Sequence, residues 1–89
     1  MTAQARPYNV TGTGTVFTGS GTFRGCALFS TAGATVTIYD NTAASGTVLA
    51  KFTLAAGGDK QIDIVDGVRC DAGVHFVASA AVEGHVRIG

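Results

Sequence analysis

The sequence predicts an all-β protein, a small antiparallel β-sandwich with a jelly-roll-like outline, seven or eight short strands and no significant helix. Three observations lead to this fold class. Thr, Val and Ile are abundant, and side chains branched at Cβ favour extended backbone over helix. Apolar and polar residues alternate with a period of two in several short runs. The 13 glycines punctuate these runs at the spacing typical of sandwiches and small barrels.

The clearest pair of strands lies in ATVTIYDNTAASGTVLAKFTL, residues 34–54. The apolar positions that share a face are Ala34, Val36 and Ile38 before the loop and Val48, Ala50, Phe52 and Leu54 after it. This pattern predicts a half-buried antiparallel hairpin. Asp40 and Asn41 are expected to cap its turn through bonds from side chain to backbone, and Gly46 to supply a positive φ where the chain re-enters the sheet.

Similar runs flank this hairpin on both sides. Strands are predicted at GTVFTG, TFRGCALFS, KQIDIV, GVRC, GVHFVAS and EGHVRIG. Turns are expected at Gly19-Ser20-Gly21, at Asp66-Gly67 between KQIDIV and GVRC, and at Asp71-Ala72-Gly73. Residues 1–12 contain the only proline, Pro7, and little periodicity. We therefore expect residues 1–12 to form an N-terminal arm that becomes ordered against a neighbour, and residues 13–89 to form the sandwich domain.

The charge content indicates which partners to expect. Charged residues make up 13% of the chain, about half of the ~25% usual for soluble domains, and six Lys and Arg balance six Asp and Glu. The basic residues are dispersed, so nucleic-acid binding is not expected. No segment approaches the ~18 apolar residues of a membrane span, and MTAQARPYNV lacks the apolar core of a signal peptide, so we expect a soluble protein made in a cytosol.

The small size favours self-association. A chain of 89 residues buries only ~60–65% of its unfolded surface, which leaves little margin of stability. A surface with few charges does little to keep copies apart. We therefore expect a homo-oligomer, specifically a trimer.

The two cysteines carry no recognisable motif. Cys26 and Cys70 are 44 positions apart, and neither belongs to a CxxC pair, so a zinc site or a redox motif is not predicted. Two buried thiols are expected, and a single disulfide is the alternative.

Two glycine-containing stretches and the two histidines are the candidate ligand sites. Gly12-Thr13-Gly14 and Gly19-Ser20-Gly21 do not complete GxGxxG and precede no predicted helix, so they are interpreted as turns. His75 and His85 point away from the apolar sets of their strands and are expected at the surface or in an interface. If the last two strands paired, the histidines could approach each other near Asp71 or Glu83, but without a third fixed ligand no metal site is predicted.

The remaining candidates form no catalytic pattern. The serines considered are Ser20, Ser30, Ser45 and Ser79, and the carboxylates are Asp59, Asp63, Asp66 and Asp71. None lies in a nucleophile-elbow or defined acid–base context. The aromatic residues Phe17, Phe23, Phe29, Tyr39, Phe52 and Phe76 are expected mainly in the core, and the absence of Trp lowers the case for a carbohydrate platform. No catalytic, cofactor-binding or metal-binding residue is therefore predicted, and no cofactor.

The stretch ATVTIYDNTAASGTVLA and the ending IVDGVRCDAGVHFVASAAVEGHVRI resemble small β-sandwich structural proteins of tailed bacteriophages. In that family a strand like VTIYDNT leads through ASG into TVLAK, and a DGVRC-type segment precedes AGVHF and a short final strand. The likeness covers residues 22–89, and its motifs are structural turns.

The resemblance implies a non-enzymatic virion protein. The preferred version is a capsid decoration or cement protein on the outer capsid surface, made in the host cytoplasm, with the major capsid protein as partner. A tail, collar or head-fibre subunit is the alternative, and a glycan- or receptor-binding module is the alternative of another class. The arm of residues 1–12 is expected to take part in the capsid contact, with the loop at residues 41–46 exposed or facing a sibling subunit.

Overall fold

The protein is built from β-strands. The structure, a computed structural model, describes residues 6–89, with only the backbone described at Val65. Within that range every regular element is a strand, which confirms the predicted all-β class. None of the described residues forms a helix long and apolar enough to cross a membrane.

Eight strands follow one another along the described chain. They are β1 (Arg6–Val10), β2 (Gly14–Thr18), β3 (Gly21–Ser30), β4 (Ala34–Asp40), β5 (Thr47–Leu54), β6 (Gly58–Cys70), β7 (Gly73–Ala78) and β8 (Glu83–Ile88).

The strand pairing is that of a jelly roll. β1 pairs with β8, β2 with β7, β3 with β6 and β4 with β5, as if one long antiparallel hairpin had been rolled up. Additional pairing of β3 with β8 and of β4 with β7 completes two four-stranded antiparallel sheets. Their orders are β1-β8-β3-β6 and β2-β7-β4-β5. The predicted sandwich with a jelly-roll outline is confirmed.

The core lies between the two sheets. Its largest fully buried side chains are Phe23 from β3 and Phe76 from β7, one from each sheet. Aliphatic residues from both sheets surround these rings, including Val36 and Ile38 of β4 and Val86 of β8. The apolar face predicted for β4 is therefore the core face, since alternate residues of a strand point to opposite sides of a sheet.

The first strand corrects the predicted domain boundary. Residues 6–10 form β1, which pairs with β8 from Arg6 opposite Ile88 to Val10 opposite Gly84. Val10 is buried in the core, so these residues belong to the sandwich rather than to a separate arm. Pro7 is tolerated because β1 is an edge strand with no partner on its other side. The rest of the predicted arm, residues 1–5, lies outside the described residues.

β6 is one strand where two were expected. The predicted division at Asp66-Gly67 is wrong, because pairing with β3 continues on both sides of it. Phe23 lies opposite Val68, and Gly25 lies opposite Asp63. Residues 64–67 therefore bulge out of the ladder opposite a single residue of β3.

The hairpin of β4 and β5 forms as predicted, with one exception. Ile38 lies opposite Ala50 and Tyr39 opposite Val48, so Leu49 is an extra residue in β5. This bulge reverses the faces at the start of the strand: Leu49 packs against the core, while Val48 is 49% exposed. The expectation that Val48 shares the core face of β5 is wrong.

The loop between these strands has the expected local structure. Asn41 caps it, because its Nδ2 donates to the Ser45 carbonyl at 2.8 Å and its Oδ1 accepts from the Thr42 N–H at 2.8 Å. Gly46 has φ of 100°, as predicted. Residues 42–46 are exposed. Asp40 does not cap this loop and instead contacts a different turn.

Candidate functional site

A groove with polar sides runs along the outer face of one sheet, over β3. It is built from three rows of cross-strand neighbours on β6, β3 and β8, and we call it the polar trough. The rows are Asp59–Phe29–Glu83, Gln61–Ala27–His85 and Asp63–Gly25–Arg87. Directly opposite residues share a face, and adjacent strands are ~4.8 Å apart, so the β6 and β8 side chains stand about 10 Å apart across the trough.

The first row places an aromatic ring between two carboxylates. Phe29 of β3 lies opposite Asp59 of β6 and also opposite Glu83 of β8. Phe29 is 37% exposed, so part of its ring is accessible to solvent. The prediction that the aromatic residues belong to the core is confirmed for Phe23 and Phe76 and wrong for Phe29. It is also wrong for Tyr39, which lies on the outer face of the other sheet, opposite the exposed Val48.

The second row places a small apolar residue between two uncharged polar side chains. Ala27 of β3 lies between Gln61 of β6 and His85 of β8, and Asn9 of β1 extends the row beyond His85. His85 Nε2 lies 3.2 Å from Arg87 Nη1. Because a guanidinium only donates hydrogen bonds, Nε2 is the acceptor and the ring proton lies on Nδ1.

The third row closes the trough with an ion pair. The Arg87 side chain crosses β3 above Gly25, donates to the Ile62 carbonyl at 2.6 Å and pairs with the carboxylate of Asp63. Gln61 Nε2 donates to the other oxygen of the same carboxylate at 3.2 Å. The Arg87 side chain is only 20% exposed, so this contact is better shielded from solvent than an ordinary surface ion pair.

A glycine makes this crossing possible. Gly25 has φ of 129°, and a Cβ there would overlap the Ile62 carbonyl oxygen and lie 2.9 Å from Arg87 Nη2. A side chain at this position would therefore displace the guanidinium and strain the backbone.

The aromatic end of the trough contains a shallow, open recess. The recess has a volume of about 460 Å³ and is lined by Ala27, Leu28, Phe29, Asp59, Glu83, Gly84 and His85. This volume lies within the ~300–1,000 Å³ typical of small-molecule sites. The recess can hold a ligand that is apolar on one side and forms hydrogen bonds around its edge.

The outer face of the opposite sheet is chemically different. Cross-strand pairing brings together Thr15, Thr35, Thr37, Tyr39, Val48, Lys51, Thr53, His75 and Val77, which we call the threonine face. Lys51 is the only Lys, Arg, Asp or Glu among them. A surface with so few charges can be covered by another protein at little cost in desolvation.

The two histidines lie on opposite faces of the molecule. β7 belongs to the sheet of the threonine face and β8 to the sheet of the polar trough, so the last two strands do not pair. His75 Nδ1 lies 3.0 Å from Thr15 Oγ1, which in turn donates to the Thr42 carbonyl. The condition under which His75 and His85 could approach each other is therefore not met. Within residues 6–89, no group of three or more His, Cys, Asp or Glu side chains is arranged to hold a metal ion.

The glycine and serine candidates have structural roles in and beside the connections between strands. Gly12-Thr13-Gly14 and Gly19-Ser20-Gly21 connect β1 to β2 and β2 to β3, as predicted. Ser30 Oγ donates to the Ala81 carbonyl at 3.0 Å and accepts from the Gly33 N–H. Ser79 Oγ accepts from the Thr35 N–H at 2.8 Å. The hydroxyl groups of Ser30 and Ser79 are therefore hydrogen-bonded to backbone groups.

The four candidate carboxylates do not form a common site. Asp59 and Asp63 lie in different rows of the trough, and Asp66 lies in the β6 bulge. Asp71 pairs with Arg69 at 2.9 Å, in a pair so exposed that it contributes little to stability.

Both cysteines are free and buried. Cys70 lies opposite Gly21 in β3, five positions before Cys26 along the same strand. At ~3.3 Å per residue this separates them by about 16 Å, too far for a disulfide. Burial raises the pKa of the Cys26 thiol to about 11 and also raises the pKa of Cys70. The prediction of two buried thiols is confirmed.

Comparison with known proteins finds no matching family model, no matching curated protein and no matching solved structure.

Proposed function

We propose that the protein is a non-enzymatic structural component of a tailed-bacteriophage virion, a decoration or cement protein that binds the outer capsid at symmetry positions. The proposal places it on the virion surface after synthesis in the host cytoplasm, with the major capsid protein as partner. The observation that carries the proposal is the threonine face, a sheet surface with one formal charge.

The chemistry of this face suits a permanent contact. The cores of protein interfaces are depleted in charge and enriched in aromatic residues, and here Tyr39 lies between Val48 and His75. A molecule of 37 × 27 × 17 Å has faces large enough for the ~800 Å² per partner that a stable interface buries. Such a face favours packing against a capsid protein, a sibling subunit, or both.

The resemblance noted in the sequence adds to this argument. It covers residues 22–89, which include nine of the ten residues of β3 and all of β4 to β8. Jelly rolls also occur in viral capsid domains, although a fold alone does not determine function. The proposal therefore depends on the surface more than on the fold.

The location of the protein in the particle tests the proposal. Heads and tails of the phage that encodes it would be separated, and the protein would be quantified in each by mass spectrometry. We expect it in the head fraction, in a copy number that matches a set of capsid symmetry positions. Its presence in tails alone would favour the alternative of a tail, collar or fibre subunit, and its absence from particles would overturn the proposal.

A pair of variants tests the surface itself. Thr35→Glu places a charge on the threonine face, and Thr31→Glu places the same charge in the exposed turn between β3 and β4. Because an unpaired buried charge strongly opposes association, we expect Thr35→Glu to abolish capsid binding and Thr31→Glu to retain it. Equal binding by both variants would exclude the threonine face as the contact.

A further inference from the structure

We propose that the polar trough is a binding site for a neutral saccharide chain, with Phe29 as its stacking platform. This inference goes beyond the proposed function and does not depend on it, because it concerns the opposite face of the sandwich. The site combines an exposed aromatic ring, carboxylates on both sides of it and a neighbouring row of uncharged hydrogen-bonding side chains.

The ring supplies the apolar half of the site. Phe29 is 37% exposed and forms part of the wall of a recess of about 460 Å³. Its neighbour on the same face is Ala27, whose small side chain leaves room beside the ring. A pyranose has one face of C–H groups that can pack on an aromatic ring while its hydroxyl groups point outward to the sides.

The strands on both sides supply the polar half. Asp59 and Glu83 flank the ring and can each accept hydrogen bonds from hydroxyl groups, and bonds to an ionised acceptor are the stronger kind. One row further, Gln61 can both donate and accept, and His85 carries a proton on Nδ1. Hydroxyl groups both donate and accept, so this mixture of groups matches a sugar.

The charges in the trough indicate that the ligand is neutral. The cation of Arg87 is already paired with Asp63, whereas Asp59 and Glu83 flank the recess and repel anions. A cationic ligand would use these carboxylates and the ring but leave the uncharged row around Ala27 without a role. A neutral saccharide uses both rows.

The shape of the trough suits a chain rather than a single sugar. Successive rows lie two residues apart along β3, about 6.7 Å, so a chain laid along the strand meets Phe29 first and the row of Ala27 next. The site is shallow and open to solvent, so we expect weak binding by one copy and stronger attachment where several copies act together.

An NMR titration of the isolated protein tests this inference. The probes would be neutral tetrasaccharides of glucose, galactose, mannose and N-acetylglucosamine, with a lysine-rich peptide in a parallel experiment. We expect at least one tetrasaccharide to shift backbone amide signals in the rows of Phe29 and Ala27 while leaving those of the threonine face unchanged.

Three variants make the test specific. We expect Phe29→Ala and Asp59→Asn each to weaken saccharide binding by at least about tenfold. Val48→Ala removes a similarly exposed apolar side chain from the threonine face, 49% exposed in the native protein, and should leave the affinity unchanged. Asp59→Asn keeps the side-chain shape, so it tests the site even if Phe29→Ala lowers stability.

The inference is overturned by any of three results. These are the absence of shifts with every tetrasaccharide at millimolar concentration, saccharide binding that Phe29→Ala and Asp59→Asn leave intact, and binding of the lysine-rich peptide alone. The last result would identify the trough as a site for basic side chains. None of these results bears on whether the protein is found on capsids.

Discussion

The carboxylate of Asp40 accepts hydrogen bonds from the backbone N–H groups of Asp71 and Ala72, at 3.0–3.1 Å. Asp40 is the last residue of β4, whereas Asp71 and Ala72 form the turn between β6 and β7. β6 lies in one sheet, and β4 and β7 lie in the other. One side chain therefore holds the turn at which the chain crosses between the two layers.

This contact makes stability depend on pH. The N–H groups of Ala72 and Asp71 favour the ionised form and lower the pKa of Asp40 below its ordinary value of 3.8. A carboxyl with a depressed folded-state pKa stabilises the protein above its unfolded pKa, and this contribution is lost as pH falls through the folded value. We therefore expect Asp40→Asn to lower Tm at pH 7, with a difference from wild type that shrinks below about pH 4.

Thermal melts across this pH range check the prediction. Asp66→Asn removes a carboxylate from an exposed position of β6 and controls for the change of net charge. A Tm loss in Asp40→Asn no greater than in Asp66→Asn at pH 7 would contradict the role given to this contact.

The Ile62 carbonyl lies so close to Gly25 that we expect a single added methyl group, in Gly25→Ala, to destabilise the fold strongly. Gly25→Ala would place Cβ against the Ile62 carbonyl oxygen at a φ of 129°, which side chains rarely adopt. We expect a loss of about 3 kcal/mol or more in the free energy of unfolding, measured by urea denaturation. Gly12→Ala is the matched control, because its Cβ would have no neighbour within 4 Å, and it should change stability by less than about 0.5 kcal/mol. Similar losses in the two variants would refute the proposed overlap.

The buried thiols predict low reactivity in the native protein. Thiolate is the reactive species, and burial raises the pKa of Cys26 to about 11 and also raises that of Cys70. At pH 8 we expect Ellman's reagent to react slowly with the folded chain and rapidly with both thiols in denaturant. A denatured, unreduced chain with fewer than two reactive thiols would indicate a disulfide and contradict the structure.

The pairing of β1 predicts the outcome of truncation. Deleting residues 2–10 removes an edge strand, uncovers β8 and takes Val10 out of the core, so we expect a marked fall in Tm. Loss of capsid binding by that truncation would therefore not identify an arm. Deleting residues 2–5 keeps β1 and tests the part of the arm prediction that precedes the strand. An unchanged Tm after deletion of residues 2–10 would contradict the placement of β1.

Self-association should follow from the threonine face. We expect a homo-oligomer, a trimer with three times the chain mass of 8.9 kDa, because a small core and a weakly charged face favour burial between copies. Analytical ultracentrifugation at micromolar concentration measures this directly. Thr35→Glu should shift the distribution toward monomer and Thr31→Glu should not. A wild-type protein that sediments as a stable monomer would refute the prediction.

Local patterns were enough to predict most of the fold. β4 alternates cleanly because one face lies on the core and the other on solvent, and the predicted turns at Gly19-Ser20-Gly21 and Asp71-Ala72-Gly73 mark where β3 and β7 begin. The sequence pattern does not predict β1 because it is an edge strand of five residues with a proline and only one buried residue, Val10. β1 forms through its pairing with β8, the last strand of the chain, and the residues of β1 alone do not indicate that pairing.

The sequence pattern does not predict the candidate site for a different reason, a β-bulge in β3. Phe23 and Phe29 have the same parity, so simple alternation places both in the core. In the structure Arg24 is an extra residue between Phe23 and Gly25, and it reverses the faces of the remainder of β3. Phe29 therefore points outward, while Cys26 and Leu28 point inward. Gly25 was the one local sign of this bulge, because glycine within a strand often marks such a site.

Cryo-electron microscopy of purified phage heads tests the central claim, attachment to the capsid, most directly. The account predicts two-layered β-sandwich density of about 37 × 27 × 17 Å at symmetry positions on the outer capsid surface, with the threonine face toward the neighbouring protein. Heads without such density, or the same density found only in the tail, would contradict it.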